Sequence, residues 1–312
     1  MIKRTAFVFP GQGSQFVRMG KDLAEQFPSA REIFDQVDEI CQKPISKLCF
    51  EGPMEELTIT DNLQPAITAV NLACLSALNQ SGVKAWVSAG HSLGEYAALV
   101  SAGVINNYDA LRLVQKRGEL MHREALANPG DMFAVLGLDI NAVREVINET
   151  KGNDILAIAN HNTEEQIVLT GEKEPIARAT QLVKDRTGRA ITLKVSGAWH
   201  CDLMKGAVDE FSRFIAEIPF NKPQSAVLFN ATAKTEDDPE KIKHIMARQL
   251  ISPVKWYDIM RAMVKGGVNT FVEVGPKNVL VGMLKRTLSG KKGIKLHNVQ
   301  DTQSLEKFLK KR

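Results

Sequence analysis

The sequence has few aromatic residues, few cysteines and no long hydrophobic run. Aromatic residues make up 6% of the 312 residues, and the four cysteines include no CxxC pair. A disulfide scaffold and a cysteine-rich zinc module are therefore excluded, and no metal site is expected. No segment approaches the ~18 uninterrupted apolar residues of a membrane-spanning helix, and the first residues do not form a signal peptide. These absences predict a cytoplasmic protein that does not enter a membrane.

The composition that remains is that of an ordinary globular protein, with one charged region. Hydrophobic residues make up 44% of the chain and charged residues 24%, and the length predicts two domains or one domain with an insertion. The net charge is +4, yet residues 276–312 hold ten Lys and Arg against two acidic residues, a net +8. Such a basic end can attract an acidic partner. It carries one aromatic residue, Phe308, and no nucleic-acid motif, so nucleic-acid binding is not expected.

Two segments of the chain read as a strand, a tight glycine turn and a helix. The first is the apolar run 5–10 before Gly11-Gln12-Gly13, and the second is 85–89 before Gly90-His91-Ser92-Leu93-Gly94. This repetition predicts an α/β fold with a mainly parallel sheet.

The middle of the chain has a different order of elements. Strands are predicted at 133–136, 156–159, 166–170 and 190–195, helices at 140–149 and 174–187, and a polar loop at 160–165. The order β-α-β-β-α-β is typical of a ferredoxin-like unit. We therefore expect a large α/β domain formed by residues 1–129 and 196–312, with a small ferredoxin-like subdomain at 130–195.

The strongest local signal for chemistry is Gly90-His91-Ser92-Leu93-Gly94, which fits G-x-S-x-G between a strand and a helix of small residues. The glycines permit a turn so sharp that the Ser92 hydroxyl projects from the edge of the sheet. The same turn directs the Leu93 backbone N–H toward a developing oxyanion. Ser92 is therefore the candidate nucleophile.

A serine hydroxyl needs a general base, because it is a poor nucleophile at neutral pH. Of six histidines, His200 is the best placed, because it follows a predicted strand, where catalytic groups of α/β sheets lie. Position alone leaves open a purely structural role for His200. His91 adjoins Ser92, so its side chain is expected to point elsewhere, and His161 falls in the predicted polar loop.

Two further residues can contribute to such a site. Gly11-Gln12-Gly13 follows a strand but lacks the third glycine of a dinucleotide-binding turn, since Phe occupies position 16; a donor for the oxyanion at Gln12 is the alternative. Arg117 lies on a predicted helix among other charges. It is a surface ion pair unless it faces the pocket, where its guanidinium can bind a substrate carboxylate through two parallel hydrogen bonds.

Taken together, these segments closely resemble the malonyl-CoA:acyl-carrier-protein transacylases of type II fatty acid synthesis. The matching stretches follow the order of that family and span nearly the whole chain: FPGQGSQ (9–15), QPA (64–66), GHSLGEYAAL (90–99), QKRGELM (115–121), QIVLTG (166–171), VSGAWHCDLM (195–204), QLISPVKW (249–256) and EVGP (273–276).

The resemblance implies a hydrolase-like core with a ferredoxin-like subdomain and assigns roles to six residues. Ser92 is implied as the nucleophile that carries the acyl group, and His200 as its base. Gln249 is implied to hold that histidine through its main-chain carbonyl. Gln12 and Leu93 are implied to form the oxyanion hole, and Arg117 to pair with the malonyl carboxylate.

The implied reaction is ping-pong transfer of malonyl from coenzyme A to the phosphopantetheine thiol of an acidic acyl carrier protein. It needs no bound cofactor, since the coenzyme A thioester is a substrate, and the family expectation is a monomer. Two positions depart from the family pattern: Trp199 stands where many malonyl-selective members carry Phe or Ser, and Lys277 replaces a frequent glycine. The alternatives are an acyltransferase of polyketide synthesis, a serine thioesterase or esterase, and an inactive scaffold that binds carrier protein.

Overall fold

Nine strands form two separate sheets in the computed structural model, which describes residues 4–311. The strands are β1 Thr5–Phe9, β2 Val87–Gly90, β3 Asp131–Leu136, β4 Leu156–Thr163, β5 Gln166–Gly171, β6 Arg189–Thr192, β7 Ala226–Val227, β8 Thr270–Val274 and β9 Lys295–Val299. The first sheet has the order β7-β2-β1-β8-β9, and the second has the order β4-β5-β3-β6.

The helices of residues 4–311 surround these sheets. They are α1 Lys21–Gln26, α2 Pro28–Cys41, α3 Ile45–Glu51, α4 Met54–Leu57, α5 Thr60–Gln80, α6 Glu95–Ser101, α7 Asn107–Ala127, α8 Ile140–Thr150, α9 Lys173–Asp185, α10 Lys205–Ala216, α11 Pro239–Arg248, α12 Trp256–Lys265, α13 Val279–Thr287 and α14 Thr302–Lys310. Short 3₁₀ helices cover Ser92–Gly94, Asp202–Met204 and Gln249–Ile251.

The first sheet is parallel throughout and is covered on both faces. Side chains alternate across a strand, so Phe7 and Phe9 of β1 face one core while Ala6 and Val8 face the other. The first core includes residues of α2, α5 and α7, and the second includes residues of α12 and α13. Burial on both faces explains why β1 reads as an apolar run rather than an alternating one.

The second sheet is antiparallel and has its own small core. β3 lies between β5 and β6, and β4 pairs with β5. Residues of α8 and α9 pack with those of the sheet around Phe133 and Val135. The predicted fold class is therefore confirmed, with a parallel α/β sheet and a ferredoxin-like unit. The domain limits at 129/130 and 195/196 stay a prediction.

Several predicted boundaries were wrong. Residues 160–163 belong to β4 and not to a polar loop, and the pairing of β4 with β5 is irregular there. Asn160 pairs with Val168 of β5 and also bridges to Val254, a contact that no local pattern predicts. β6 ends at Thr192, three residues before the predicted end. His161 accordingly lies on a strand.

The structure also bears on the expectations about cysteine pairing, membrane-spanning helices and the basic end of the chain. All four cysteines are buried and unpaired, and burial raises the pKa of the Cys41 thiol to about 12, so it is unreactive. None of the helices within residues 4–311 has the length and apolar character needed to cross a membrane. In the basic end, Arg312 lies outside the described residues.

A buried carboxyl group near the C-terminal end of β8 gives a prediction for stability. Glu273 in β8 accepts hydrogen bonds from the backbone N–H groups of Leu280 and Val281, in the first turn of α13. Burial raises its pKa from the ordinary 4.5 to about 7. The folded state therefore holds an extra proton between about pH 4.5 and 7, and stability is lost as the pH rises through the folded-state pKa.

We expect Glu273→Gln to remove this loss, because the amide does not ionise. The unfolding midpoint of the unaltered protein should fall more between about pH 5.5 and about pH 8 than that of the variant. Thermal unfolding followed by circular dichroism at both pH values measures the difference. Parallel curves for the two proteins would show that Glu273 does not ionise in this range.

Candidate active site

The turn after β2 holds Ser92 in a backbone conformation that serine rarely adopts. Its φ is +50°, in the left-handed region, at the start of a 3₁₀ helix that leads into α6. A Cβ on Gly90 would collide with the backbone of Gly94, and a Cβ on Gly94 would collide with Phe9. Both glycines are therefore required sterically, and the strained serine backbone is the kind of feature that clusters at functional sites.

Ser92 and His200 are in hydrogen-bond contact. Ser92 Oγ lies 2.8 Å from His200 Nε2, and His200 Nδ1 lies 3.0 Å from the backbone carbonyl oxygen of Gln249. A carbonyl only accepts, so the Nδ1–H donates to it and Nε2 is left as the acceptor for the serine hydroxyl. This order of donors and acceptors is the one that a serine nucleophile and its base require.

His200 is almost fully buried, and this sets its protonation state. Burial, the charge of Arg117 and His91 together lower the pKa of its imidazole to about 3, against the opposing effect of the hydrogen bond to the Gln249 carbonyl. The imidazole is therefore neutral near pH 7, and a neutral imidazole can accept the serine proton.

Arg117 places a buried positive charge beside the serine. The side chain is 1% exposed on α7 and donates to Gln249 Oε1 at 3.1 Å, Gln64 Oε1 at 2.8 Å and Ser92 Oγ at 3.1 Å. All three acceptors are uncharged, and Arg117 has no ion pair within residues 4–311. A buried guanidinium without a counter-ion in contact favours binding of an anion.

These groups border one cavity of about 100 Å³. Its lining consists of Gln12, Gln64, His91, Ser92, Leu93, Arg117, Met121, Met132, Asn160, Leu193, Val195, Trp199 and His200. Within the described part of the chain, no hydrogen bond uses the backbone N–H of Gln12 or Leu93. Both amides are thus available to a ligand oxygen, and Gln12 and Leu93 come from the turns that follow β1 and β2.

The sequence did not indicate two residues that hold the serine turn in place, Asn230 and Glu95. Asn230 accepts a hydrogen bond from the Ser92 backbone N–H at 2.6 Å and donates to the Gly90 carbonyl at 2.7 Å. Glu95, fully buried, accepts from the Asn230 backbone N–H at 2.7 Å and from the Gln249 side chain. Asn230 is 138 residues from Ser92, so no local pattern could have paired them.

Three further residues named from the sequence lie in the cavity wall or beside the Gln12 turn: His91, Trp199 and Lys277. His91 turns away from Ser92, as expected: its ring lies 2.8 Å from Asn162 Oδ1 and packs edge-on against Trp256. Trp199 is buried in the cavity wall. Lys277, with φ +61°, reaches over to donate to the Gly13 carbonyl at 3.2 Å. Both departures from the family pattern therefore border the site or its Gln12 turn.

This arrangement combines a serine, a neutral histidine, two free amides and a buried cation within one cavity. The serine, with the histidine as its base, can attack a carbonyl carbon. The two amides can stabilise the resulting oxyanion. The cation favours a substrate that carries a second, anionic group. Transfer of an anionic acyl group is the chemistry that uses all four components.

Comparisons with known proteins agree with this chemistry. Residues 6–306 match the model of the acyl transferase domain family. A malonyl CoA-acyl carrier protein transacylase of Bacillus subtilis (strain 168) is 38% identical over 307 residues, which are 98% of this chain and 96% of that protein.

Solved structures agree equally well. The 1.7 Å structure of an acyl carrier protein S-malonyltransferase from Vibrio cholerae superposes with a TM-score of 0.93 at 39% identity, covering 98% of this chain and 100% of the other. A malonyl-transacylase in complex with its type II PKS acyl-carrier protein superposes with a TM-score of 0.94 at 37% identity, covering 99% and 100%. The chain therefore belongs to the malonyl CoA-acyl carrier protein transacylase family and is an acyltransferase.

Proposed function

We propose that the protein transfers a malonyl group from malonyl-CoA to the phosphopantetheine thiol of an acyl carrier protein in fatty acid biosynthesis. The observation that carries this proposal is Arg117, a buried cation within 3.1 Å of the serine oxygen. A neutral acyl group gives no reason for this charge, whereas the free carboxylate of malonate matches it. The relatives named above support the choice of acyl donor and acceptor.

The first half-reaction loads the enzyme. His200 Nε2 takes the proton of Ser92 Oγ while Oγ bonds to the thioester carbonyl carbon, and the oxyanion accepts hydrogen bonds from the Gln12 and Leu93 amides. The C–S bond then breaks, and the sulfur takes the proton from His200 and leaves as coenzyme A thiol. A single hydrogen-bond donor of the oxyanion hole typically accelerates such a step about 10²-fold to 10³-fold. This step therefore does not need a third, acidic member of a catalytic triad.

The second half-reaction reverses these events with a new thiol. The carrier thiol gives its proton to His200, and its sulfur bonds to the ester carbonyl carbon. The bond to Ser92 Oγ breaks, and the oxygen takes the proton back. The Gln249 carbonyl keeps the imidazole oriented throughout, as its 3.0 Å contact with Nδ1 supports. No cofactor takes part, since the coenzyme A thioester is itself the substrate.

Two alternatives use the same serine. A thioesterase or esterase would pass the acyl group to water, and it gives no role to Arg117. An acyltransferase of polyketide synthesis would use the same first half-reaction, and the relative solved with a type II PKS carrier keeps this pathway open. The two pathways differ in the carrier that accepts malonyl rather than in the chemistry of the site.

The experiment that tests the proposed function mixes the purified protein with malonyl-CoA and holo acyl carrier protein. Mass spectrometry of the carrier should show one malonyl group added, and free malonate should stay at the level of an enzyme-free control. Release of malonate without malonyl-carrier would identify a hydrolase and contradict the proposal.

The proposal extends to the location, the oligomeric state and the domain division of the protein. A cytoplasmic location fits a chain whose four thiols are all buried and unpaired, as is usual in a reducing compartment. A monomer is what the family resemblance implies. The division into a large domain, 1–129 with 196–312, and a small subdomain, 130–195, is supported by the separate small core around Phe133.

The carrier protein is proposed to dock through its acidic surface on the basic end of this chain. Lys285 and Arg286 are exposed on the last turn of α13. Arg286 lines a groove of about 460 Å³ together with Thr163 of β4, and Asn160 of the same strand borders the active-site cavity. Arg186 of the small subdomain is a weaker candidate, because it pairs with Glu145 and Glu149.

We expect the double charge reversal Lys285→Glu and Arg286→Glu to raise the KM for the carrier protein roughly 3-fold to 30-fold, since rim charges act mainly on association. Malonyl loading from coenzyme A should stay unchanged. The matched control is Lys310→Glu with Lys311→Glu, because these lysines belong to the same basic end but Lys311 lines a different groove, beside Thr5 and Thr270. Equal KM values for the two double variants would exclude docking at α13.

A further inference from the structure

A fully buried carboxylate lies directly beneath the active site and takes no part in the steps above. Glu95 is the first residue of α6, three positions after Ser92, and is 0% exposed. One of its oxygens accepts from the Asn230 backbone N–H at 2.7 Å, and the other accepts from the side-chain amide nitrogen of Gln249. A buried carboxylate without an ion pair is costly to maintain, so its retention calls for a physical reason.

The side chain of Gln249 connects this carboxylate to Arg117. Its Nε2 donates to Glu95 and, at 2.9 Å, to the Ser92 carbonyl oxygen, while its Oε1 accepts from Arg117 Nε at 3.1 Å. A guanidinium only donates, and an ionised carboxylate only accepts. The amide between them is therefore satisfied in one orientation, with its oxygen toward Arg117.

We propose that Glu95 is a positioning residue that fixes the orientation of the Gln249 amide and thereby holds Arg117 ready for the carboxylate of the acyl group. This inference rests on the proposed role of Arg117 in malonyl binding. Glu95 is not among the described residues that line the cavity, so its effect on Arg117 passes through Gln249, while its other bond, from Asn230, supports the serine turn.

The substitution Glu95→Gln tests this geometry, because it keeps the shape of the side chain but replaces one acceptor by an NH₂ group. The site offers this side chain two donors, the Asn230 N–H and the Gln249 amide. The Asn230 N–H belongs to the backbone and cannot rotate, so the new amide keeps its oxygen there and turns its NH₂ toward Gln249. Gln249 must then rotate to accept, which breaks its bond to the Ser92 carbonyl oxygen, turns its own NH₂ toward Arg117 and leaves two donors face to face.

His200 is insulated from this rearrangement. Its acceptor is the backbone carbonyl of Gln249, which a rotation of the side-chain amide does not move. Ser92, His200 and the two amides of the oxyanion hole are enough to load acetyl, which carries no carboxylate. The inference therefore predicts unequal effects on malonyl and acetyl loading, whereas general damage to the serine turn would reduce both.

The experiment measures single-turnover loading of malonyl and of acetyl from their coenzyme A thioesters at about pH 8, above the pKa of about 7 that burial gives Glu95. In Glu95→Gln, malonyl kcat/KM should fall roughly 10-fold to 100-fold, mainly through KM, as for the loss of a hydrogen bond to a charged group. Acetyl loading should change by less than about 3-fold, within the usual effect of a substitution away from the reacting atoms. The matched control is Glu124→Gln, another buried glutamate, whose partners are Arg123 and Asn128.

A double-mutant cycle with Arg117→Ala separates this inference from the proposed function. If Glu95 acts through Arg117, then Glu95→Gln adds no further loss of malonyl loading once Arg117 is gone. Additive losses, equal losses of malonyl and acetyl, or faster malonyl loading in Glu95→Gln would each overturn the inference. Should Arg117→Ala alone keep its preference for malonyl, the proposed role of Arg117 fails instead.

A second variant keeps the test decisive if Glu95→Gln does not fold. Gln249→Met has a similar length and keeps the backbone carbonyl that holds His200, but it offers neither a donor to Glu95 nor an oxygen to Arg117. It should lower malonyl loading at least 5-fold to 10-fold more than acetyl loading, roughly the value of one buried hydrogen bond. A proportional loss of both substrates in Gln249→Met would also overturn the inference.

Discussion

Replacing Ser92 by alanine is expected to lower malonyl transfer to the carrier protein roughly 10⁴-fold to 10⁶-fold, the range found when a serine nucleophile is removed from its base and oxyanion hole. The oxygen that would carry the acyl group lies 2.8 Å from the base, and no other serine among residues 4–311 lines the cavity. Steady-state transfer of malonyl to holo carrier protein, followed by mass spectrometry, measures the loss.

The matched control for this variant is Ser88→Ala. Ser88 lies on β2, shortly before the same turn. Its hydroxyl forms a hydrogen bond with the Ser101 hydroxyl, outside the cavity. Ser88→Ala should keep transfer within about 3-fold of the unaltered protein, as usual for a substitution outside the site. Comparable activity of Ser92→Ala and Ser88→Ala would contradict the assignment of the nucleophile.

Replacing Arg117 by alanine is expected to reverse the substrate preference of the enzyme. The guanidinium is buried and bonds only to uncharged oxygens, so its removal leaves a bound carboxylate without a partner. Losing one partner of a buried charge pair costs about 2–4 kcal/mol, which lowers malonyl kcat/KM roughly 30-fold to 1,000-fold. Acetyl loading should stay the same or rise, because the neutral methyl group no longer meets a buried charge.

Arg112→Ala provides the matched control, since Arg112 lies on the same helix, α7, but is partly exposed and pairs with Asp109. It should leave both substrates within about 2-fold, as is usual for a surface ion pair. Competition between malonyl-CoA and acetyl-CoA in one reaction gives the preference directly. A parallel loss of malonyl and acetyl in Arg117→Ala would show that the residue supports the fold and does not select the acyl group.

The features that could be predicted from the sequence are those determined by neighbouring residues. Gly90 and Gly94 are demanded by the turn itself, so the pentapeptide indicated both the sharp turn and the exposed position of Ser92. The β-α-β-β-α-β order likewise predicted the small sheet, because turn residues and periodicity mark each element locally. Local patterns allowed His200 to be a base or a structural residue, and Arg117 to be a surface ion pair or a pocket residue. Only the resemblance to a family placed both in one pocket.

The features that could not be predicted depend on residues far apart in the chain. Asn230 supports the Ser92 turn from 138 positions away, and Gln249 meets Glu95 from 154 positions away. Asn160 of β4 likewise bridges to Val254, in addition to its pairing with Val168 of β5. Local pattern carries no information about such a distant partner.

Transfer through a Ser92 ester is tested by the intact mass of the protein after brief exposure to malonyl-CoA without carrier protein, followed by peptide mapping. We predict a gain of one malonyl group, located on the peptide that contains Ser92, lost when holo carrier protein is added and absent in Ser92→Ala. An unmodified protein that still transfers malonyl to carrier, or a malonyl group that persists in Ser92→Ala, would contradict transfer through a Ser92 ester.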